Sequence, residues 1–144
     1  MQPISAVIIA QNEATRLAAA IASVQPWVSE VLVLDGGFHD GTVEVARSAG
    51  ARVDVHPFDG FVAQKQRATD LARHDLIFSL DADELVGPEL GASLARAAGF
   101  DAWRVRRRNY LDGRALRASG WYPDWRIRLF DRREAAWTGR DPHD

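Results

Sequence analysis

The 144-residue sequence predicts an α/β fold, a mostly parallel sheet flanked by helices, with a mixed or antiparallel, basic C-terminal part. Three observations carry that reading. Short, nearly all-apolar runs recur at Ile4–Ala10, Glu30–Asp35 and Leu76–Leu80, the pattern of strands covered on both faces. Stretches with helical spacing of Ala, Leu and Val lie between them, so strand and helix alternate. After residue 100 the period becomes a strict alternation, in Ala102–Arg108 and again in Trp125–Phe130, as expected of half-buried strands.

Taken in order, Ile4–Ala10 is the first strand. Gln11-Asn12-Glu13 follows it, with Asn12 placed to cap a helix from Ala14 to about Val24 that Pro26 ends. Glu30–Asp35 is the second strand, closed by an acid. Gly36–Thr42 is a turn rich in residues that permit unusual backbone angles. The helix from about Thr42 to Ala49 presents Val43, Ala46 and Ala49 on one face, and Gly50 suits its C-terminal cap. Arg52–His56 is the third strand. The next helix runs from Phe61 to about Arg73, its buried side marked by Ala68, Leu71 and Ala72, with Lys65 and Arg67 elsewhere. Leu76–Leu80 is the fourth strand, and a helix from Pro88 to Ala98 ends at Gly99. Asp112-Gly113 then marks a hairpin turn between the alternating segments. The chain reads as one domain, 1–144, in which 1–100 and 101–144 are subregions.

Composition narrows the chemistry. There is no cysteine, which excludes disulfides, thiolate metal sites and a cysteine nucleophile. No apolar run approaches a bilayer span, and no basic segment leads an apolar one at the amino terminus, so neither a membrane helix nor a signal peptide is expected. The net charge of −2 conceals an asymmetry: residues 1–102 carry 7 Lys and Arg against 14 Asp and Glu, and residues 103–144 carry 11 against 6. An acidic first part and a basic second part suit a cation and an anion respectively. Nucleic acid is a poor partner, because the acidic part repels a polyanion and no nucleic-acid motif is present.

The chemistry centres on Asp81, Asp83 and Glu84, directly after the fourth strand. In an open α/β sheet ligands bind where strands end. Carboxylates at i and i+2 on extended chain point the same way, and such a pair suits a hard divalent cation that also holds phosphates. A solvated turn leading to the helix at Pro88 fits the same spacing.

Several segments in order resemble the family 2 glycosyltransferases, whose fold is called GT-A, a Rossmann-like arrangement. They are Ile8 to Glu13, Asp35 with Asp40-Gly41-Thr42, Gln64 to Arg67, and Asp81-Ala82-Asp83. Gly120-Trp121-Tyr122-Pro123-Asp124-Trp125-Arg126-Ile127-Arg128-Leu129-Phe130 looks like the branch that contains lipopolysaccharide-core β-glucosyltransferases. The resemblance implies a UDP-sugar donor, Mn²⁺ or Mg²⁺, and inverting transfer of a hexose, glucose in that branch, to a lipopolysaccharide-core or other envelope glycan or glycolipid. Residues 1–100 would bind the nucleotide-sugar and 101–144 would begin the acceptor-binding part. Ala10, Gln11, Asn12, Glu13 and Asp35 would line the nucleoside pocket, with Asp35 accepting from the base or else stabilising its own turn. Gln64, Lys65 and Arg67 would contact the donor, Asp83 would bind the metal, and Asp81 would sit by the ribose and the metal's waters. Asp144 would be the base and His143 its orienting partner, with Asp141 and Glu84 as other candidates.

Trp121, Tyr122 and Trp125 would either stack on sugar rings or fill a core. The arginines at 106–108, 126 and 128 would meet a phosphorylated acceptor at a membrane surface, which places the protein in the cytoplasm or at the inner face of the cytoplasmic membrane. The pattern departs from the family at Gly36 and Phe38, where serines are common, and at His143-Asp144, where a His-Glu pair is usual. Family members run well beyond 144 residues, so an incomplete acceptor half is expected. The alternative is a catalytically silent nucleotide-binding remnant. A nucleotidyltransferase would need a Gly-rich loop after strand one, and Ala10-Gln11-Asn12-Glu13 has none.

Overall fold

The computed structural model describes residues 3–11, 14–37, 41–96, 102–107, 110–111, 114–115, 124–133 and 137. Strands β1 (Ile4–Ala10), β2 (Glu30–Asp35), β3 (Arg52–Val55) and β4 (Leu76–Ser79) alternate with helices α1 (Ala14–Val24), α2 (Thr42–Ser48) and α3 (Phe61–Leu71). Helix α4 (Pro88–Arg96) follows, then β5 (Ala102–Arg107), β6 (Tyr110–Leu111), β7 (Arg114–Ala115) and β8 (Asp124–Asp131). The main sheet has the order β3-β2-β1-β4-β8-β5. β1 pairs in parallel with β2 and β4, and β2 with β3. β8 runs antiparallel between β4 and β5. Its backbone slips register opposite Trp103 and Arg104, a bulge that bends the outer pair. β6 and β7 form a separate hairpin, Tyr110 opposite Ala115 and Leu111 opposite Arg114.

The apolar runs behave as strands because each face finds a cover. Ile4, Ala6, Ile8 and Ala10 of β1, Val31 and Val33 of β2, and Leu76 and Phe78 of β4 join one core. Leu17, Ala20, Ile21 and Val24 of α1, Ala46 of α2 and Leu94 of α4 close it. The intervening residues Val7, Leu32, Leu34 and Ile77 face the other way and pack with Ala68, Ala72 and Phe130. Period-two alternation thus splits β1, β2 and β4 between two cores, giving three layers. α1 stops at a short 3₁₀ turn, Gln25–Trp27, where Pro26 cannot continue the helical ladder. Trp27 then seats against Gly91 of α4, which has no side chain to obstruct it.

Helix α3 differs from its expected face. Gln64, Lys65, Ala68 and Thr69 are its buried residues, whereas Leu71 is 43% exposed. Its apolar content is low, and position on the sheet rather than hydrophobicity orients it. Its C-terminal end is tied down by Arg132 beyond β8, which donates to the carbonyls of Thr69 at 3.0 Å and Ala72 at 2.7 Å. Arg132 also bonds the Asp75 carboxylate at 2.9 Å, and a cation at a helix C-terminus is favourable to the dipole. The cap Asn12 and the helix end at Ala98-Gly99 lie outside the described residues.

At the opposite end of the sheet from the strand C-termini, Glu30 gathers Ser5, Arg52 and the loop before β4. Its carboxylate accepts from Ser5 Oγ at 2.6 Å, the Arg73 N–H at 2.6 Å, and Arg52 Nε and Nη2 at 3.2 and 3.1 Å. Burial works to raise this carboxyl, but the bonds from Ser5, Arg73 and Arg52 outweigh it and hold Glu30 below the ordinary glutamate value. A depressed folded value means stability that is complete above the unfolded pKa, about 4.3, and lost as pH falls through the folded one. Glu30→Ala is therefore expected to cost about 2 kcal/mol at neutral pH, and the gap from wild type should narrow on acidification. Urea unfolding of both proteins from pH 7 to pH 3 checks this; a gap independent of pH contradicts it.

Candidate functional site

The parallel strands β1 and β4 end on the same side of the sheet, and a cleft of about 270 Å³ opens there. It is lined by Ile9, Ala10 and Gln11 from the end of β1, by Phe58 after β3, by Phe61, Gln64 and Lys65 from the first turns of α3, and by Asp81, Ala82 and Asp83 after β4. This is the crevice at the carboxyl ends of strands where α/β sheets place ligands. Phe61, Gln64 and Lys65 reach it together because residues three and four apart share a helix face. Gly60, at φ 131° and ψ 151°, starts the helix from a backbone region open essentially to glycine alone, which sets the angle at which that face meets the cleft.

The acids do not sit on extended chain, as the i, i+2 spacing suggested. β4 ends at Ser79, and residues 81–84 form a turn in which the Glu84 N–H donates to the Asp81 carbonyl at 3.0 Å. The Glu84 carboxylate turns back and accepts from the Asp81 N–H at 2.8 Å. Glu84 is thus engaged in shaping the turn, while Asp81 and Asp83 both line the cleft. The Asp83 side chain is 48% exposed and lies 3.5 Å from Arg16 Nη1, itself 64% exposed. So open a pair is easily exchanged for a ligand. Beyond the turn, the Val86 N–H donates to Ser23 Oγ at 2.9 Å, which anchors the loop to α1.

Among the described residues no three His, Asp or Glu side chains gather as a closed cation site. Two carboxylates on an open cleft nevertheless fit Mg²⁺ or Mn²⁺, which commonly bind proteins through one or two carboxylates and take their other ligands from water and substrate phosphates.

The remaining side chains named from sequence fall into different places. Gln64 is buried; its amide donates to the His56 carbonyl at 3.0 Å and accepts from Arg67 Nη1 at 2.9 Å. Arg67 stands outside the cleft lining, forked onto Asp59 with two bonds of 2.6 Å. Those bonds hold the Asp59 carboxyl below its usual range and raise the guanidinium further. Arg67 acts here as a brace for Gln64. Lys65, expected on another face from the core, is 5% exposed and lines the cleft. Its Nζ lies 4.7 Å from the centroid of the Trp137 ring.

Asp35 pairs in register with Ala10 but does not line the cleft. It is 1% exposed, and its Oδ2 accepts from the Gly37 N–H at 2.9 Å, the turn-stabilising arrangement. Asn12, Glu13, Phe38, Asp141, His143 and Asp144 lie outside the described residues. So do the side chains of Arg106–Arg108, Trp121, Tyr122, Trp125, Arg126 and Arg128.

Two cleft residues escaped the sequence reading. Phe58 and Phe61 meet edge to face, centroids 5.0 Å apart, and form one wall. The spacing of Phe61 to Gln64 and Lys65 carried that signal; Phe58, in an irregular loop, carried none. Gly36 lies behind this wall. A Cβ there would come within 3.0 Å of Gln11 Cγ and 3.3 Å of Phe58 Cβ, so the ends of β1, β2 and β3 close together only over a glycine. A serine at this position would be crowded.

Two acids and a lysine thus line one cleft at the strand ends of a mostly parallel α/β sheet. The chain belongs to glycosyl transferase family 2, whose sequence pattern matches residues 5–142. It is 36% identical over 123 residues to the lipopolysaccharide core biosynthesis glycosyltransferase LpsC of Rhizobium meliloti, covering 77% of this chain and 44% of that one. It is 48% identical over 90 residues to an uncharacterized glycosyltransferase of Rickettsia felis, covering 62% and 32%. The chain thus spans about a third of the length of the Rickettsia relatives. Among solved structures, glucosyl-3-phosphoglycerate synthase of Mycobacterium tuberculosis with Mn²⁺, UDP and glucosyl-3-phosphoglycerate superposes with a TM-score of 0.52 at 29% identity, covering 56% of this chain and 33% of that one. Mannosyl-3-phosphoglycerate synthase of Rubrobacter xylanophilus gives 0.53 at 29%, covering 57% and 31%.

Substitution at the crowded glycine tests the geometry. Gly36→Val is expected to lower stability by about 1–3 kcal/mol through overpacking against Gln11 and Phe58. Thermal unfolding reads the loss, and a variant as stable as wild type would show that the strand ends are not in contact.

Proposed function

We propose that this chain forms the donor-binding part of an inverting, metal-dependent glycosyltransferase that uses a UDP-sugar. The observation that carries the proposal is the meeting of Asp81, Asp83 and Lys65 on one cleft at the strand ends. Opposite charges on a single small opening match a diphosphate bound with its cation. The solved relative from Mycobacterium tuberculosis that holds UDP and Mn²⁺ supports the choice of nucleotide and metal.

In this reading Asp83, with Asp81 beside it, holds Mg²⁺ or Mn²⁺, and the bound cation supplies neutralisation of charge on the departing diphosphate. Lys65 approaches the diphosphate from the α3 side. Gln64, fixed by Arg67 and the His56 carbonyl, keeps the first turns of α3 in place. Ala10, Asn12 and Glu13 bound the nucleoside, and Asp35 shapes the turn beside them. The Phe58–Phe61 wall gives a ring an apolar face. Asp144 takes the acceptor proton, with His143 orienting it.

The transferred sugar is a hexose, glucose in our assignment, and the acceptor a lipopolysaccharide-core or other envelope glycan. The similarity to LpsC supports the acceptor class. The arginines of the C-terminal part would then hold the protein against the inner face of the cytoplasmic membrane. Among the described residues no helix is long and apolar enough to cross a membrane.

Calorimetry with UDP and UDP-glucose, with and without Mn²⁺, tests the donor site. Binding should require the metal, and Asp83→Ala should weaken it roughly a hundredfold, the scale of a lost charged ligand. Equal binding by wild type and variant, or metal-independent binding, contradicts the assignment. Metal-dependent UDP binding with neither transfer nor hydrolysis of the donor would mark a silent nucleotide-binding domain instead.

A further inference from the structure

Phe78 and Phe130 are 1% and 4% exposed and belong to the two cores. Phe58 and Phe61 are only half-buried, and among the described residues they join neither core. Both line the cleft, their rings 5.0 Å apart and inclined at 75°. Apolar surface left at the mouth of a cleft with convergent polar groups is the usual composition of a ligand site.

The loop that carries Phe58 is held from both sides. The His56 N–H donates to the Asp35 carbonyl at 3.0 Å and the Phe58 N–H to the Gly36 carbonyl at 3.2 Å, which ties the loop to the end of β2. On the other side the His56 carbonyl accepts from the Gln64 amide, and Asp59 is forked onto Arg67, which also bonds Gln64. A ring fixed in this way is in place before a ligand arrives, so little ordering is lost on binding.

Its place across the sheet says which ring of a nucleotide-sugar it meets. The strand order is β3-β2-β1-β4-β8-β5. Asp81 and Asp83 follow β4, whereas Phe58 follows β3 and is drawn against Gly36 at the end of β2. Neighbouring strands lie about 4.8 Å apart, so two spacings, roughly 10 Å, separate the acids from the aromatic wall. That is the scale of a ribose carrying its base. With the diphosphate at the acids, one end of the donor extends toward β2 and β3 and the other toward β8, where the C-terminal part joins the sheet. The sugar belongs on the side from which an acceptor comes, which leaves the base for the wall.

We infer that Phe58, backed edge to face by Phe61, is the surface on which the donor's nucleobase stacks. This rests on the UDP-sugar reading given above. Every base has a π-face, so the wall supplies grip and leaves the choice among bases to groups at the base's edge.

Calorimetry with UDP, UDP-glucose and inorganic pyrophosphate, each with Mn²⁺, separates the two ends of the cleft. Phe58→Leu should weaken UDP and UDP-glucose alike, about tenfold, and leave pyrophosphate unchanged; Phe58→Tyr, which keeps the ring, should bind UDP as wild type does. The H5 and H6 protons of uracil report stacking directly. In UMP with Mg²⁺ they should move upfield on addition of the wild-type chain, and much less with Phe58→Leu.

UDP affinity unchanged in Phe58→Leu overturns the inference. So does an equal loss for UDP and pyrophosphate, which would make the loop a support for the anion end, or a loss confined to UDP-glucose, which would assign the wall to the sugar. If Phe58→Leu does not fold, the uracil signals with the wild-type chain decide alone, and their failure to move upfield overturns the inference. A wild-type chain that binds neither UDP nor pyrophosphate overturns the donor reading itself; one that binds pyrophosphate as tightly as UDP retains the anion site and loses the stacking surface.

Discussion

Burial of β1 on both faces is the constraint on which the remainder of the molecule depends. Ile4, Ala6 and Ile8 need the cover of α1, while Val7 needs that of α3. A strand with no wet face cannot be an edge, so it acquires parallel partners on either side. Parallel partners in turn require crossover helices, and they align the carboxyl ends of β1, β2 and β4 in one direction. The cleft is a geometric product of that alignment. Its polar groups are supplied by whatever follows each strand, and they come from segments far apart in sequence.

Charge is distributed accordingly. At the amino ends of the strands a carboxylate is saturated: Glu30 is enclosed by Ser5, Arg52 and a backbone donor, an arrangement that consumes its charge in stability. At the carboxyl ends, Asp81 and Asp83 are held on a turn whose internal bonds are made by backbone and by Glu84. The Asp131 carboxyl, lowered to about 2 chiefly by its bond to Arg133, belongs to the first type. Glu30 and Asp131 are thus paired with arginines, Asp35 is held by the backbone of its own turn, and Asp83, at the cleft, is half-exposed beside an exposed Arg16.

Much of this was legible in the sequence, for identifiable reasons. The apolar runs and the helical spacing between them defined the strand and helix order, because double burial leaves few polar positions to confuse the period. The antiparallel C-terminal strands were legible from alternation, though not the insertion of β8 between β4 and β5, since alternation says nothing about neighbours. The acids at 81 and 83 were visible as a cluster that needed compensation. The face of α3 was misjudged because apolarity pointed to Leu71, whereas the helix buries Gln64 and Lys65 against the cleft and Thr69 beneath Trp137. Polar burial of that kind depends on tertiary partners, and no local pattern encodes it. The close approach at Gly36 and the seating of Trp137 on α3 were equally invisible, the first being a contact between three loops and the second an isolated residue outside any periodic segment.

The position of β8 bears on how the chain reaches its native state. β4 is an interior strand, but one of its two neighbours is encoded more than forty residues later. While the polypeptide emerges from a ribosome, the first four strands can assemble with one flank of β4 still presenting unpaired amides and carbonyls. Such a flank is a template for adhesion between nascent molecules until residues 124–131 arrive to cover it. Arg132, reaching from the end of that strand to the carbonyls closing α3, then acts as a latch on the completed sheet.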